Sequence, residues 1–466
     1  MAISVNTVAL LALVFLLSAY LKRRTTKRPP LPPGPPADPF IGHLRVMPSD
    51  QQELVFHEWA KTYGDVMHLK VFGHDIIVLD SVQAATELLE KRSALYSDRP
   101  NFTVYTTMGW DHNVAFFPYG RRFRKHRKLL QSYLSQQFTA NFRPIQEFNA
   151  RYLAKGLVEN TRDFKYYISR YTISVIMRIA YGHQILSDDD EFMPLVENVA
   201  YAQNNGGPPG GTIAEGTAER SFLRTQMESM SGKDLTDEDI QDLKGSAGVL
   251  FAAGFDTTSS SLETFILALL HHPDVQKKGQ EEFDRVIGDR LPTFEDYDAL
   301  PYAGRVTMEV LRWHPSAPLG VPHRAMEDDI YRGMFIPKGA IIIPNAKGMN
   351  LDGNVYTKPT EFNPDRFLRK SEGGNEEPPP VATFGFGRRI CPGRHLAATN
   401  LWIAVATIFA TVNITKAKDE GGNEITPEII FESGVTSRPK AFSCNIVPRS
   451  EKMIRIVASE SKNPSM

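Results

Sequence analysis

The sequence predicts a mainly α-helical fold with small β-sheets, and three observations carry that prediction. Apolar residues recur at helical spacing over most of the chain, as at Val55, Phe56, Trp59 and Tyr63. The longest such stretch starts at Thr236, where Thr236 and Asp239 approximate a capping box, and stops before Pro273, so it reaches about 54 Å. Alternation of apolar and polar residues is confined to two short places, both reading as hairpins: Val66 to Val71 with Asp75 to Leu79 around Gly73-His74, and Ile330 to Ile343 around Pro337-Lys338-Gly339. With 466 residues the chain exceeds the usual single-core size, so two domains or one large composite domain are expected.

Taken from the N-terminus, Val5 to Leu21 is almost wholly apolar and is followed at once by Lys22, Arg23, Arg24, Lys27 and Arg28. It is short of the about 20 residues that a spanning helix needs, yet acceptable in a thin endoplasmic-reticulum bilayer. Basic residues follow it and none precede it, which leaves the remainder of the chain on the cytosolic side. A cleaved signal peptide ending near Ser18-Ala19 is the competing reading, against which stands the missing basic n-region. The run from Pro29 to Pro36 is a stiff polyproline-like spacer. The expected division is a transmembrane anchor over 1–21, a basic and proline-rich linker over 22–36, and one folded body over 37–466.

Further along, Arg121 to Lys128 is a basic helix, and a charge run of this kind is by default a solvated face. Gly206-Gly207-Pro208-Pro209-Gly210-Gly211 interrupts the helical pattern, and the about 25 residues between it and the long helix leave room for only one or two short helices. Glu309 and Arg312 share a helix face, which in isolation marks a surface salt bridge of little worth. The net charge of −1 argues against a nucleic-acid partner.

Cys391 lies in Phe384-Gly385-Phe386-Gly387-Arg388-Arg389-Ile390-Cys391-Pro392-Gly393. Pro392 suits the first position of a helix, and the stretch from His395 to Ile408 is rich in Ala, Leu and Ile, so Cys391 is expected at a helix N-terminus. There, backbone N–H groups and the helix dipole favour thiolate over thiol. Gly387 and Gly393, lacking a β-carbon, let the backbone turn sharply and lie against a flat macrocycle, and Arg389 pairs with a carboxylate of that macrocycle. The pattern reads as a thiolate offered to a haem iron. A lone cysteine is more often a buried structural residue; four further motifs at compatible places reverse that. Only Cys391 and Cys444 occur, so there is no disulfide framework and no Cys-x-x-Cys-His for covalent haem.

The long helix carries Ala253-Gly254-Phe255-Asp256-Thr257-Thr258 in its middle. Gly254 costs about 1 kcal/mol of helix stability, and an acid beside two hydroxyl residues is a poor choice for a buried helix. The functional reading gives Ala253-Gly254 the task of making room for dioxygen, Thr257 that of holding water and loosening the helix, and Asp256 that of relaying protons. A solvent-facing Asp-Thr-Thr patch is the plain alternative.

These residues resemble the haem-binding signature of the cytochrome P450 family, Phe-x-x-Gly-x-Arg-x-Cys-x-Gly, matched at Phe384, Gly387, Arg389, Cys391 and Gly393. The resemblance runs from the N-terminal anchor to the C-terminal strands with one gap, and is in particular to fungal microsomal members, the O-methylsterigmatocystin oxidoreductase-like neighbourhood. It implies a helical body around haem b with Cys391 as metal ligand, Asp256 and Thr257 as acid and alcohol of the oxygen-activation motif, and Phe384, Gly387, Arg389 and Gly393 at the cofactor. Glu309 and Arg312 match the family's Glu-x-x-Arg, and Arg366 in Pro364-Asp365-Arg366-Phe367 supplies the third member of a structural cluster holding the cysteine loop. Arg127 follows Phe123 where the family generally has Trp-x-x-x-Arg; Phe123 is a departure that removes an indole donor. Arg127, Arg324 and Arg389 are the candidates for the haem propionates.

The function so implied is a monooxygenase that inserts one oxygen atom into an apolar small molecule of fungal secondary metabolism. Electrons come from NADPH through a separate NADPH-cytochrome P450 reductase, since no Gly-rich nucleotide fingerprint or flavin domain follows, with cytochrome b5 as a further candidate. Part of the basic helix, Arg124 and Lys125 included, is expected to face that reductase. The substrate pocket is expected from Thr103 to Phe117, Phe251 to Phe255, Ala317 to His323 and Gly434-Val435. A reductase-independent isomerase or dehydratase is one alternative, disfavoured by the intact Asp256-Thr257 pair; a non-catalytic haem-binding relic is another. The gap falls where family members have two long helices and a lid, so lid helices near 205–232 are expected to be missing, as by a missed exon with its junction at Gly211 to Ala214.

Overall fold

The structure is a computed structural model that describes residues 28–101, 112–159, 163–187, 221–229 and 236–461, with Val14, Asp190 and Phe192. The expected anchor apart from Val14, the first part of the basic linker, residues 102–111 of the expected pocket and the glycine-rich run 206–211 lie outside the described residues. Among the described residues no helix is long and apolar enough to cross a membrane.

The longest helix, Asp237–His271, begins and ends where the sequence places it. Thr236 and Asp239 cap each other reciprocally, and three acids in the first turn meet the positive end of the helix dipole. Pro273 cannot continue it and instead opens the next helix, Pro273–Val286. The long helix packs on helices Phe164–Tyr181 and Arg394–Thr411, with Arg143–Glu159 behind them. Phe265, Ile266, Ile168, Val175, Ile403 and Ile408, all inaccessible, form the centre of this core. Arg394–Thr411 is apolar nearly all round because it is surrounded.

Among the described residues, three small sheets lie at the periphery. In the largest, strands β1 (Val66–Val71) and β2 (His74–Leu79) form the expected hairpin, β6 (Ile341–Pro344) runs parallel to β2, and β3 (His323–Arg324) closes the far edge. The second hairpin differs from expectation. Its strands are β4 (Asp329–Tyr331) and β5 (Met334–Ile336), and its turn is Arg332-Gly333. Both turn residues have positive φ, 48° and 77°, the conformation a two-residue hairpin requires and one that Pro337 cannot take. Ile341 to Ile343 therefore leave this pair and join β2. The third sheet pairs β7 (Val412–Lys418) with β9 (Cys444–Pro448) and with β8 (Glu424–Ile425).

The proline-rich run is bonded to this framework. The Phe335 N–H donates to Pro30 C=O (2.8 Å), the His68 N–H to Pro33 C=O (2.9 Å) and His43 Nε2 to Pro35 C=O (2.7 Å). Between Tyr181 and the long helix, one short helix, Phe222–Ser229, stands among the described residues, with Phe222 buried edge-on against Tyr133 at 5.3 Å.

Candidate functional site

The cysteine loop is built from short 3₁₀ turns, Val381–Phe384 and Gly387–Arg389, ahead of helix Arg394–Thr411. The Cys391 N–H donates to Phe384 C=O (2.8 Å), which closes the loop on itself. Gly385 and Gly387 both have positive φ, 72° and 57°. A β-carbon on Gly387 would lie 2.0 Å from the Leu89 carbonyl oxygen, so this glycine is required by the approach of the irregular helical turn Thr86–Lys91 rather than by a macrocycle. At Gly393 the nearest atom to an added β-carbon is Cys391 Sγ at 3.9 Å, an ordinary contact. Pro392 is outside the helix, whose N-cap is Gly393, so it does not take the first helical position expected of it. Without an iron ligand the expected preference for thiolate is outweighed: burial pushes the Cys391 thiol up overall, against the N–H groups of Gly393 and Arg394 and the charges of Arg127 and Arg394, which pull it down.

Three arginines gather next to this loop. Arg389 donates to the carbonyls of Ser97 (2.8 Å) and Phe117 (2.7 Å) and stacks on the Phe123 ring, 3.6 Å from its centroid. Phe123 thus replaces an indole donor with a cation-π platform. Arg99, which the sequence reading did not single out, donates to Ala115, Val321 and Pro322 carbonyls at 2.9, 2.6 and 2.8 Å. Burial, and then the charge of Arg389, hold Arg99 well below its usual value; burial, opposed by Asp98 and reinforced by Arg127, holds Arg389 at about 10. Burial also lowers Arg127, against the pull of Cys391. His323, lowered by burial and by Arg99 and Arg389, stands beside them with Nδ1 donating to Tyr96 C=O (2.7 Å). Asp98 is the carboxylate that counters this charge, and its oxygens are already engaged by the Tyr119 N–H (2.7 Å) and by Arg324. Arg324, expected at a propionate, is therefore half-exposed and ion-paired to Asp98. Buried guanidiniums whose partners are carbonyls leave positive charge uncompensated, and the anionic carboxylates of haem fit that donor set.

A cavity of about 520 Å³ lies between the basic helix, Arg121–Tyr133, and the cysteine loop, walled by Phe123, Arg124, Arg127, Lys128, Arg388 and Ile390. Not all of the basic helix faces outward there. Arg122 Nε and Lys125 Nζ donate to the buried Asp242 carboxylate of the long helix at 2.8 and 2.7 Å, and Lys125 also holds Asp239 (2.7 Å). Burial opposes the charge of Asp242, but the bonds from Lys125, His126 and Arg122 outweigh it and hold the carboxyl at about 2. Lys125 is thus a clamp between two helices; Arg124 and Lys128 remain on the surface.

Glu309, Arg312 and Arg366 come together as a fully buried cluster. Arg312 grips both Glu309 oxygens at 2.8 Å, and Arg366 reaches Glu309 at 3.1 Å. Arg312 also donates to Asn350 and Pro359 carbonyls (2.9 and 2.7 Å), and Arg366 to Thr357 C=O (2.8 Å) and to Glu377 (2.7 Å), a fourth member not foreseen. Thr383 Oγ1 donates to Leu311 C=O (3.0 Å), tying the turn that leads into the cysteine loop to the helix of Glu309.

On the oxygen side, Ala253 and Thr257 share one accessible face of the long helix, and Thr257 Oγ1 donates to Ala253 C=O (2.7 Å). The helix is continuous through this motif. Gly254 does not open that face: a β-carbon there would meet Ile176 Cδ1 at 2.8 Å, so the residue is small to admit the neighbouring helix. Asp256 is ion-paired to Arg438. Ser437, three residues after the expected Gly434 turn begins, ties the C-terminal turn to the long helix and to the residue ahead of Ala317, its N–H donating to Ser316 C=O (2.8 Å) and its carbonyl accepting from Ser260 Oγ (2.6 Å).

Fold and site together define a helical haem-thiolate protein. The cytochrome P450 family model matches residues 32–205 and 211–443. Similar proteins include cytochrome P450 monooxygenase 136 of Postia placenta, 37% identical over 95% of this chain and 93% of its own length. Cytochrome P450 monooxygenase claR of Ampulloclitocybe clavipes is 34% identical over 99% of this chain and 94% of its own, and cytochrome P450 monooxygenase ple1 of Rhodocybe pseudopiperita 32% over 95% and 94%. The chain belongs to the cytochrome P450 family. It is accordingly a haem-thiolate monooxygenase, with a redox partner and a small-molecule substrate.

Proposed function

We propose that Cys391 is the axial thiolate and that the enzyme inserts one atom of dioxygen into an apolar small molecule of fungal secondary metabolism. The other oxygen atom leaves as water, using two protons and two electrons from NADPH through NADPH-cytochrome P450 reductase. The observation that supports the reading is the pair of buried guanidiniums, Arg99 and Arg389, bonded to carbonyls, with the half-buried Arg127 next to Cys391. Arg389, Arg127 and Arg99 would hold the carboxylates of a bound haem, and Phe384, Gly387 and Gly393 would shape the cysteine loop next to it. When bound, haem supplies the oxidising chemistry. Asp256 takes protons from solvent and passes them toward Thr257 Oγ1. Glu309, Arg312 and Arg366 keep the loop in place. Arg124, Lys128 and Arg388 receive the acidic reductase.

Residues 1–21 anchor the enzyme in the endoplasmic-reticulum membrane with the body in the cytosol. The bonded proline run supports a fixed seat on the bilayer, as do the exposed Phe40 and Phe72 at turns next to it. A helix pair of the substrate lid is missing near 205–232. In support, the family match breaks at 206–210, and the alignment to the Ampulloclitocybe relative runs over 510 positions although this chain has 466 residues. Transcript sequencing tests this: a message encoding just these residues defeats the missed-exon idea. Oxygen insertion is tested with labelled dioxygen in microsomes supplied with NADPH and apolar candidate substrates. One labelled atom per product, dependent on NADPH, is expected; unlabelled product formed without NADPH contradicts it.

A further inference from the structure

Residues 430–440 fold back on themselves as a small hairpin whose base and tip are held by different parts of the chain. The Glu432 N–H donates to Arg438 C=O (2.8 Å), the Lys440 N–H to Ile430 C=O (2.9 Å), and Phe431 bridges Pro439. The return limb is fixed in the core. Ser437 donates its N–H to Ser316 C=O (2.8 Å), accepts from Ser260 Oγ (2.6 Å) and is bonded through its hydroxyl to His314 Nε2 (2.9 Å). Ser316 Oγ in turn donates to Thr257 C=O (2.9 Å), which sets the hairpin beside the oxygen motif. At the tip, Val435 is 51% exposed, and the hold comes from the N-terminal part of the chain. Ser433 Oγ donates to the Asp50 carboxylate and accepts from the Gln51 N–H (3.1 Å), which also reaches Asp50 Oδ1 (3.0 Å). Gln51 has φ 48° at the N-cap of helix Gln52–Tyr63, a left-handed conformation that a non-glycine residue keeps only where its surroundings determine it. Nearby, Met47 and Leu319 pack against the same buried cluster of Phe56, Met67, Leu69 and Val78, so this turn borders the expected pocket segment Ala317 to His323.

We infer that Asp50 is a positioning residue for substrate specificity: it pins the Ser433 hydroxyl, and through it Val435, at the rim of the apolar pocket. The inference rests on the reading that Gly434-Val435 lines that pocket. With only the Ser437 limb held, the tip is free to swing about its base and the rim has no fixed width. A tip held at both places meets a long apolar ligand with its ordering already done, and such a ligand binds more tightly for it. A ligand too short to reach the rim is indifferent. Asp50 thereby favours long apolar substrates over small ones.

The test uses the full-length holoenzyme and two probes, imidazole and dodecylimidazole. Both bind ferric haem through nitrogen, only the second fills the pocket, and affinity is read from the shift of the haem absorption band. D50A and S433A are expected to weaken dodecylimidazole about three- to tenfold and to leave imidazole within about twofold. D50N keeps an oxygen for the Ser433 hydroxyl and is expected to bind both probes as wild type does. Hydrogen exchange gives a readout independent of the haem: the Glu432 and Lys440 amides are expected to exchange about fivefold faster in D50A, with Ser437 unchanged. V435F tests the pocket reading separately, and a change of about fivefold or more in dodecylimidazole affinity is expected. If V435F leaves both probes unchanged, the pocket reading fails and the inference with it. If V435F acts but D50A binds dodecylimidazole as wild type does, or leaves the hairpin's exchange unchanged, the tether alone is overturned. An equal loss of both probes in D50A would mark a general structural role and contradicts the inference.

Discussion

The cysteine loop and the Asp256 stretch of the long helix are held in different ways. In the cluster that supports the cysteine loop, each buried charge has several partners: Arg312 has both Glu309 oxygens and three carbonyls, and Arg366 has two acids and carbonyls besides. Across from it, Asp256 has one arginine, Glu263 lacks a bond on one oxygen, and one short helix stands among the described residues where the family has a lid. Redundant bonding suits a loop that must keep a sulfur aimed at one point. Sparse bonding suits groups that must change partners during turnover. Among the described residues the long helix is anchored by its own cap, by the Asp242 clamp and by the core.

That contrast can be broken most forcefully at Arg312. R312A leaves Glu309 buried with half its partners gone, and removing one member of such a pair costs about 3–5 kcal/mol. The expected outcome is loss of stable haem incorporation, read by thermal unfolding and haem content; a holoprotein as stable as wild type would show that the cluster is incidental. Within the signature, G387A and G393A separate two kinds of glycine. The first combines positive φ with a 2.0 Å approach to Leu89 and is expected to cost about 2–3 kcal/mol, the second under about 1 kcal/mol. Equal costs in denaturant unfolding would remove the distinction.

A smaller effect is expected at Asp242. Its folded value near 2 lies below the roughly 3.9 of an unfolded aspartate, so its contribution is full above about pH 4 and is lost as pH falls through about 2. With Arg122 and Lys125 partly exposed, that contribution is about 1–2 kcal/mol. The stability gap between wild type and D242N should therefore close between pH 4 and 2; a gap independent of pH contradicts the clamp. The smallest change is T236A, which removes one cap and should lower stability by about 1 kcal/mol without altering the haem spectrum.

What the sequence made readable is local. The long helix, its cap and its stop, the cysteine motif and the Glu309–Arg312 pair are patterns within a few residues, and the structure has them where they were expected. Partners brought together by the tertiary fold were not readable. Arg99 joins Arg389 through a loop, Glu377 completes a cluster begun at Glu309, and Arg438 reaches Asp256 from a C-terminal turn. Spacing likewise cannot tell which neighbour a glycine is small for: Gly254 admits Ile176, and Gly387 admits Leu89. The second hairpin was misplaced because Pro-Lys-Gly is a strong turn signal, while Arg332-Gly333 needed a left-handed arginine, held by Asp65 at 3.0 Å.

The central claim is that Cys391 binds the haem iron as a thiolate, and the carbon-monoxide difference spectrum of the reduced full-length protein tests it most directly. Wild type is expected to show the band of a thiolate-ligated carbonyl complex and C391S to lack it. A thiolate band that persists in C391S, or a wild-type protein that takes up no haem, would contradict the account.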